Sequence, residues 1–86
     1  MEQKWYVYIL RCVDDTLYTG ITNNIDRRLK AHNAGTASKY TRSRRPVTMI
    51  YQEEAETKGD ALRRELAIKT MTRSQKQSLI EQLNKR

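Results

Sequence analysis

The sequence predicts an α+β fold, a three-stranded antiparallel sheet flanked by three helices in the order β-β-α-β-α-α. Three observations carry that expectation. Two runs of β-formers, Trp5-Tyr6-Val7-Tyr8-Ile9-Leu10 and Leu17-Tyr18-Thr19-Gly20-Ile21, stand on either side of Asp14-Asp15. Such runs around a short Asp-rich break read as strand, tight turn, strand. A third run, Val47-Thr48-Met49-Ile50-Tyr51, stands alone downstream. Three further segments each begin with a cap-like residue and continue with apolar positions at helical spacing.

In the first strand, alternate residues share a face, so Tyr6, Tyr8 and Leu10 point one way and Trp5, Val7 and Ile9 the other. Gly20, inside the second run, marks a place where something must come close to backbone. Helix one is expected over 24–33. Asn23 is its cap, Asp26 sits at the positive end of its dipole, and Asn33-Ala34-Gly35 stops it. On a wheel of about 100° per residue, Ile25, Leu29 and His32 form the buried stripe and Arg28 its edge, one turn before His32. Arg27 and Lys30 point elsewhere. Residues 35–46 read as a loop closed by Pro46, and Glu53-Glu54 stands at the exit of the third strand. Thr57-Lys58-Gly59-Asp60 opens helix two, which runs to Met71 with Ala61, Leu62, Leu66 and Ile68 as its apolar arc. Thr72-Arg73-Ser74-Gln75 resembles a capping box. It starts helix three, with Leu79, Ile80 and Leu83 inward and Lys76, Lys85 and Arg86 keeping it cationic.

Eighty-six residues make one domain, spanning 1–86, with a small core. The lone cysteine, Cys12, excludes an internal disulfide framework and fits a reducing compartment, where it reads as a small buried hydrophobe near a strand end. There is no long apolar run and no signal-peptide pattern, so the expectation is a cytosolic protein away from membranes. The net charge of +7 is uneven: 36–50 holds Lys39, Arg42, Arg44 and Arg45 with no acid. A local cationic segment suggests a polyanionic partner, nucleic acid first. Tyr40 lies among those cations, a pattern that suits a nucleic-acid strand through phosphate contacts and stacking, or else a solvated loop.

Two residues on helix faces need an explanation. Glu65 falls about 40° from Ala61, in the middle of the apolar arc of helix two. An unpaired carboxylate buried there costs several kcal/mol, so it is partly wet, or it meets Lys69 or an arginine, or it holds a divalent metal. His32 is either a hydrogen-bonded interface histidine or part of a site with Arg28 and the strand tyrosines. No metal-finger spacing, Walker loop, dinucleotide fingerprint or serine-elbow pattern is present.

Tyr6-Val7-Tyr8 followed by Tyr18-Thr19-Gly20 resembles the two half-motifs of the GIY-YIG nuclease superfamily. Tyr6 replaces the first family glycine, and Thr19 takes the middle place of the second half-motif. Arg28 comes eight positions after Gly20, His32 one turn later, and Glu65 far downstream, in the order and spacing of the family. The chain is similar to the small single-domain UPF0213 branch. The resemblance implies a metal-dependent DNA endonuclease, acting on branched, damaged or single-stranded DNA. Glu65 would hold one Mg²⁺ or Mn²⁺, and Tyr18, or else Tyr8, would take a proton from the attacking water. Arg28 would brace the phosphate, and His32 would orient a tyrosine or the water. Lys39, Tyr40, Arg42, Arg44 and Arg45 would contact DNA, and a monomer is favoured. Ile21 stands directly after the motif glycine, where some relatives carry lysine. The last helix lacks the polar residue, often asparagine, that relatives use, with Gln77 nearest. Those departures sustain two other readings: a nucleic-acid-binding module of the same fold with negligible turnover, and a basic protein-interaction domain.

Overall fold

A computed structural model describes residues 4–84. Lys85 and Arg86, expected to extend the cationic last helix, lie outside the described residues. In chain order the elements are β1 (Trp5–Arg11), β2 (Leu17–Thr22), α1 (Ile25–Ala34), α2 (Lys39–Arg42), β3 (Thr48–Ala55), α3 (Lys58–Lys69) and α4 (Arg73–Asn84). The strands form one antiparallel sheet in the order β2-β1-β3, so the tyrosine-rich first strand is central. No helix among the described residues is long and apolar enough to cross a membrane.

The hairpin turn forms where the aspartates interrupt the β-formers. Cys12 N–H donates to Thr16 O at 2.9 Å and Asp15 N–H to Cys12 O at 2.9 Å. Asp15 takes a left-handed φ of 67°, which Asp tolerates better than most residues. The carboxylate of Asp14 accepts from the Thr16 hydroxyl at 2.6 Å and from its N–H at 3.2 Å.

Strand alternation then divides the core between two faces. Val7 and Ile9 join Tyr51, Ala61, Ile68 and Ile80 on the face covered by α3 and α4. Tyr8, Leu10, Cys12 and Val47 gather on the other, with Tyr18, Ile25, Leu29 and Met49 packed against them. Cys12 is a free, buried thiol near the end of β1. β3 carries a register shift opposite Ile9/Leu10, where Tyr51 and Met49 pair and Ile50 between them does not.

Caps fix the helix starts. Asn24 rather than Asn23 caps α1: it has extended backbone and its side chain accepts from Arg27 N. Gly35 ends that helix at φ 83°. Thr57 caps α3. Thr72 and Gln75 form the capping box, with Gln75 N donating to Thr72 Oγ1 at 3.2 Å and Thr72 N to Gln75 Oε1 at 2.8 Å.

Three expectations are corrected. The 35–46 loop contains a short helix, α2, capped by Ser38. Strand β3 continues through Glu53-Glu54, because those carboxylates find partners in Arg64 and Lys4. Helix α3 ends at Lys69 rather than Met71, and its apolar arc is narrower than the sequence suggests. Ala61 and Ile68 are buried, while Leu62 and Leu66 are 47% and 65% exposed. A helix meets a sheet along one contact line, and the two leucines fall about 100° and 140° from Ala61. Glu65 is therefore at the margin of the buried stripe, not at its centre.

Candidate active site

Strand pairing places Tyr8 directly opposite Gly20, and Leu10 opposite Tyr18, so both tyrosines share the face toward α1. The Tyr8 ring lies across the strand onto Gly20. A Cβ at position 20 would stand 2.5 Å from Tyr8 Oη and 2.7 Å from Cζ. The glycine in the second half-motif is what lets the phenol reach that far.

Helix α1 brings His32 onto the same spot, one helical turn beyond Arg28. His32 is 1% exposed and hydrogen-bonded at both ring nitrogens. Nε2 meets Tyr8 Oη at 2.8 Å, and Nδ1 meets Thr41 Oγ1 at 2.8 Å. Tyr18 lies edge-on to the imidazole with ring centroids 5.2 Å apart, and Tyr8 does so at 5.8 Å. Tyr8 and Tyr18 are 6.5 Å apart. Burial pushes the Tyr8 hydroxyl well above the usual tyrosine range, reinforced by Tyr18 and Glu65 and opposed by Arg28. Burial first, and the Arg28 charge second, push His32 below its usual value, so the imidazole is held neutral.

Arg28 is half-buried, and none of the described acidic side chains pairs with it. Its charge acts on both Tyr8 and His32. A half-buried guanidinium whose charge acts on a buried phenol and a neutral imidazole, with no acid paired to it among the described residues, is partly desolvated at a cost.

Glu65 comes from α3, on the other layer of the molecule. Its carboxylate is 19% exposed and pairs with Lys69 Nζ at 3.4 Å. It is close enough to raise the Tyr8 phenol electrostatically. Among the described residues no group of three or more His, Cys, Asp or Glu gathers to cage an ion. A single partly exposed carboxylate is the kind of oxygen ligand that a hard divalent cation retaining most of its waters would accept.

The basic segment is more engaged than its composition suggests. Arg44 donates to Asp14 Oδ2 at 3.1 Å and to Tyr40 O at 2.8 Å, and its guanidinium lies 4.0 Å from the centre of the Tyr40 ring. Tyr40 in turn stacks on Tyr18 at 5.8 Å and 27°. Arg45 donates to Arg42 O at 2.8 Å and to Asn33 O at 3.3 Å. Lys39 and Arg42 are exposed. The cluster thus runs without a break from the buried Tyr8–His32 pair through Tyr18 to Tyr40 and Arg44 at the surface. Gln77, half-buried on α4, makes no hydrogen bond to it.

Two residues that sequence reasoning passes over belong here. Thr41 is 0% exposed, and its hydroxyl touches both His32 and Ser38, the latter at 2.9 Å. The Ser38-x-x-Thr41 spacing is an N-cap signature, and it is the one sequence signal that could have found the pair.

Comparison with known proteins identifies the family. Residues 4–78 match the model of the GIY-YIG catalytic domain. A UPF0213 protein of Staphylococcus haemolyticus is 52% identical over 79 residues, covering 92% of this chain and 96% of that protein. One from Clostridium perfringens is 56% identical over 75 residues, covering 87% and 81%. Among solved structures, the solution NMR structure of a UPF0213 protein from Bacillus halodurans shares 40% identity at a TM-score of 0.60, covering 91% of this chain and 83% of that one. A second NMR structure, of a protein from E. faecalis, shares 40% identity at a TM-score of 0.66 and covers 100% and 94%. With the half-motifs on paired strands, Arg28 and His32 on the following helix and Glu65 on α3, the chain belongs to the GIY-YIG family, among its UPF0213 proteins.

Proposed function

We propose that this protein is a divalent-metal-dependent endonuclease that hydrolyses DNA phosphodiester bonds in a cleft formed by β1, β2, α1 and α3. The observation that carries the reading is Arg28, a half-buried cation with no acidic partner among the described residues, whose charge acts on a buried Tyr8–His32 pair. The scissile phosphate supplies the missing anion. The guanidinium can hold it through two parallel hydrogen bonds and gains strength as charge builds on the phosphate in the transition state.

Glu65 would hold the metal, which when bound polarises the phosphate and stabilises the leaving oxygen. Tyr18, half-exposed at the edge of the imidazole, would take the proton of the attacking water. Tyr8 commits its hydroxyl to His32 and turns its remaining lone pairs toward that water, aligning it. Tyr40, stacked on Tyr18, and the exposed Lys39 and Arg42 guide the strand to the cleft. Ile21 after the motif glycine and Gln77 as the nearest candidate for the polar residue of the last helix are departures from the family pattern. They make turnover itself the first thing to measure.

The test is incubation with supercoiled plasmid and with branched DNA in Mg²⁺ or Mn²⁺. Wild-type protein nicks the substrate and Glu65→Ala does so at least about 100-fold more slowly. Equal nicking by the two proteins, or none by the wild type, ends the nuclease reading. In the latter case, DNA binding that weakens steeply with salt would favour a binding module of the same fold.

A further inference from the structure

The hydrogen bonds around His32 form a chain of four side chains: Tyr8 Oη, His32 Nε2 and Nδ1, Thr41 Oγ1 and Ser38 Oγ, at 2.8, 2.8 and 2.9 Å. Tyr8, His32 and Thr41 are 2%, 1% and 0% exposed, while Ser38 is half-buried. The chain therefore starts in the core and ends where water can reach it.

Only two proton arrangements are open to a neutral imidazole here. In one, Nε2–H donates to Tyr8 and the Thr41 hydroxyl donates to Nδ1. The Tyr8 O–H then has no protein acceptor and can only turn toward the cleft, because no other described side chain or backbone group bonds to Tyr8 Oη. In the other, Tyr8 O–H donates to Nε2, Nδ1–H donates to Thr41 Oγ1, and Thr41 O–H donates to Ser38 Oγ. Every buried donor is then used. Ser38 Oγ also accepts from Thr41 N at 3.1 Å. The one spare O–H is that of Ser38, at the wet end. Tyr8 is only 2% exposed, so a hydroxyl without a protein acceptor there costs more than one at the wet Ser38 end, and the second arrangement wins.

We infer that Thr41 is a positioning residue of the active site, which by accepting from Nδ1 fixes the His32 tautomer and thereby the direction in which Tyr8 points its proton. The inference rests on the nuclease reading for its catalytic consequence, though not for the tautomer itself. With Nδ1–H held by Thr41, the Tyr8 proton points inward at Nε2 and the phenol oxygen presents lone pairs to the cleft, where the attacking water needs an acceptor. Without that acceptor, Nδ1–H would be buried and unpaired. The ring then takes the Nε2–H form, Nε2 donates to Tyr8, and the Tyr8 O–H swings outward as a donor. The cleft loses an acceptor without losing a residue. Thr41 acts through His32 and Tyr8 and touches no substrate.

The chain has one histidine, so its imidazole nitrogens give an unambiguous signal. Long-range proton–nitrogen correlation spectra of uniformly ¹⁵N-labelled full-length protein, above the histidine pKa, read the tautomer directly. Wild type shows a protonated Nδ1 and an unprotonated Nε2. Thr41→Val, close to isosteric, inverts or averages that pattern, and Thr41→Ser restores it. In the plasmid assay Thr41→Val lowers kcat by about 10- to 100-fold with KM within about twofold, and Thr41→Ser recovers most of the rate. A wild-type spectrum with Nε2–H overturns the inference outright, and that measurement needs no variant to fold. A folded Thr41→Val that keeps Nδ1–H, or that keeps full kcat with an inverted tautomer, also overturns it. Wild-type protein that cuts nothing but shows Nδ1–H supports the tautomer assignment and removes the nuclease reading instead.

Discussion

Tyr51 on the face toward α3 and Tyr8 on the face toward α1 are both buried, and burial pushes both phenols up, Tyr51 to about 12. Each lies near an arginine. On the α3 face the set is closed: Tyr51 Oη donates to Glu53 at 2.6 Å and Arg64 Nε donates to the same carboxylate at 2.5 Å. Charge is balanced within the protein. On the α1 face the phenol meets a neutral imidazole, and Arg28 pairs with no carboxylate among the described residues. Similar parts thus make a brace on one side and an open receptor on the other. The difference is one acid: Glu53 pairs with Arg64, and no described acid pairs with Arg28. A buried phenol next to an arginine is therefore no sign of chemistry until the local charge has been counted.

That comparison can be broken most sharply by truncating each arginine in turn. Arg28→Ala is expected to cut turnover by about 10²- to 10³-fold while the melting temperature barely moves. Arg64→Ala is expected to leave turnover alone and lower stability by about 0.5–1 kcal/mol, modest because the Arg64 and Glu53 side chains are 38% and 27% exposed. Parallel nicking assays and thermal melts decide; a large melting shift for Arg28→Ala would make it a brace as well.

A smaller effect is expected from Gly20→Ala. The added methyl would stand 2.5 Å from Tyr8 Oη, and the phenol is boxed in, so the ring must move. Stability should fall by about 1–3 kcal/mol, and the tyrosine–histidine bond should break. Denaturant melts and the His32 nitrogen signals check both; an unchanged spectrum would show that the ring has room to spare.

The smallest is a pH effect. His32 is held below its usual value near 6.5 in the folded protein. Stability from this group is full above about 6.5; as pH falls below that the unfolded chain takes up a proton before the folded one does, so stability declines until the folded value is passed, below which the loss is complete. The slope from this one group is at most about 1.4 kcal/mol per pH unit. Urea melts between pH 7 and 5 should show that slope in wild type and lose it in His32→Gln. Equal slopes would mean the imidazole is not held neutral.

Much of this was readable in the chain because it depends on short-range pattern. Alternation in β1 sorted Tyr8 from Val7 and Ile9, Gly20 announced a close approach, and a helical wheel put Arg28 beside His32. What was hidden depends on distant partners. Arg44 reaches Asp14 across 30 residues and Arg45 reaches Asn33 across 12, so both looked like free cations. Thr41 sits in a helix of four residues, too short for periodicity to show, amid serines, threonines and basic residues that read as loop. Nothing local says that it will be among the least exposed side chains of the molecule. The α3 leucines misled in the opposite sense, since apolar character alone does not say where a helix touches its neighbour.

Asn33 holds one more consequence. Its side chain imitates a strand, accepting from Val47 N at 2.8 Å and donating to Val47 O at 3.2 Å, while Arg45 fastens onto its carbonyl. The cationic stretch is thus riveted to the end of α1 at its exit and through Thr41 in its middle. A polyanion arriving there meets a template already set, and little chain entropy remains to be lost on contact.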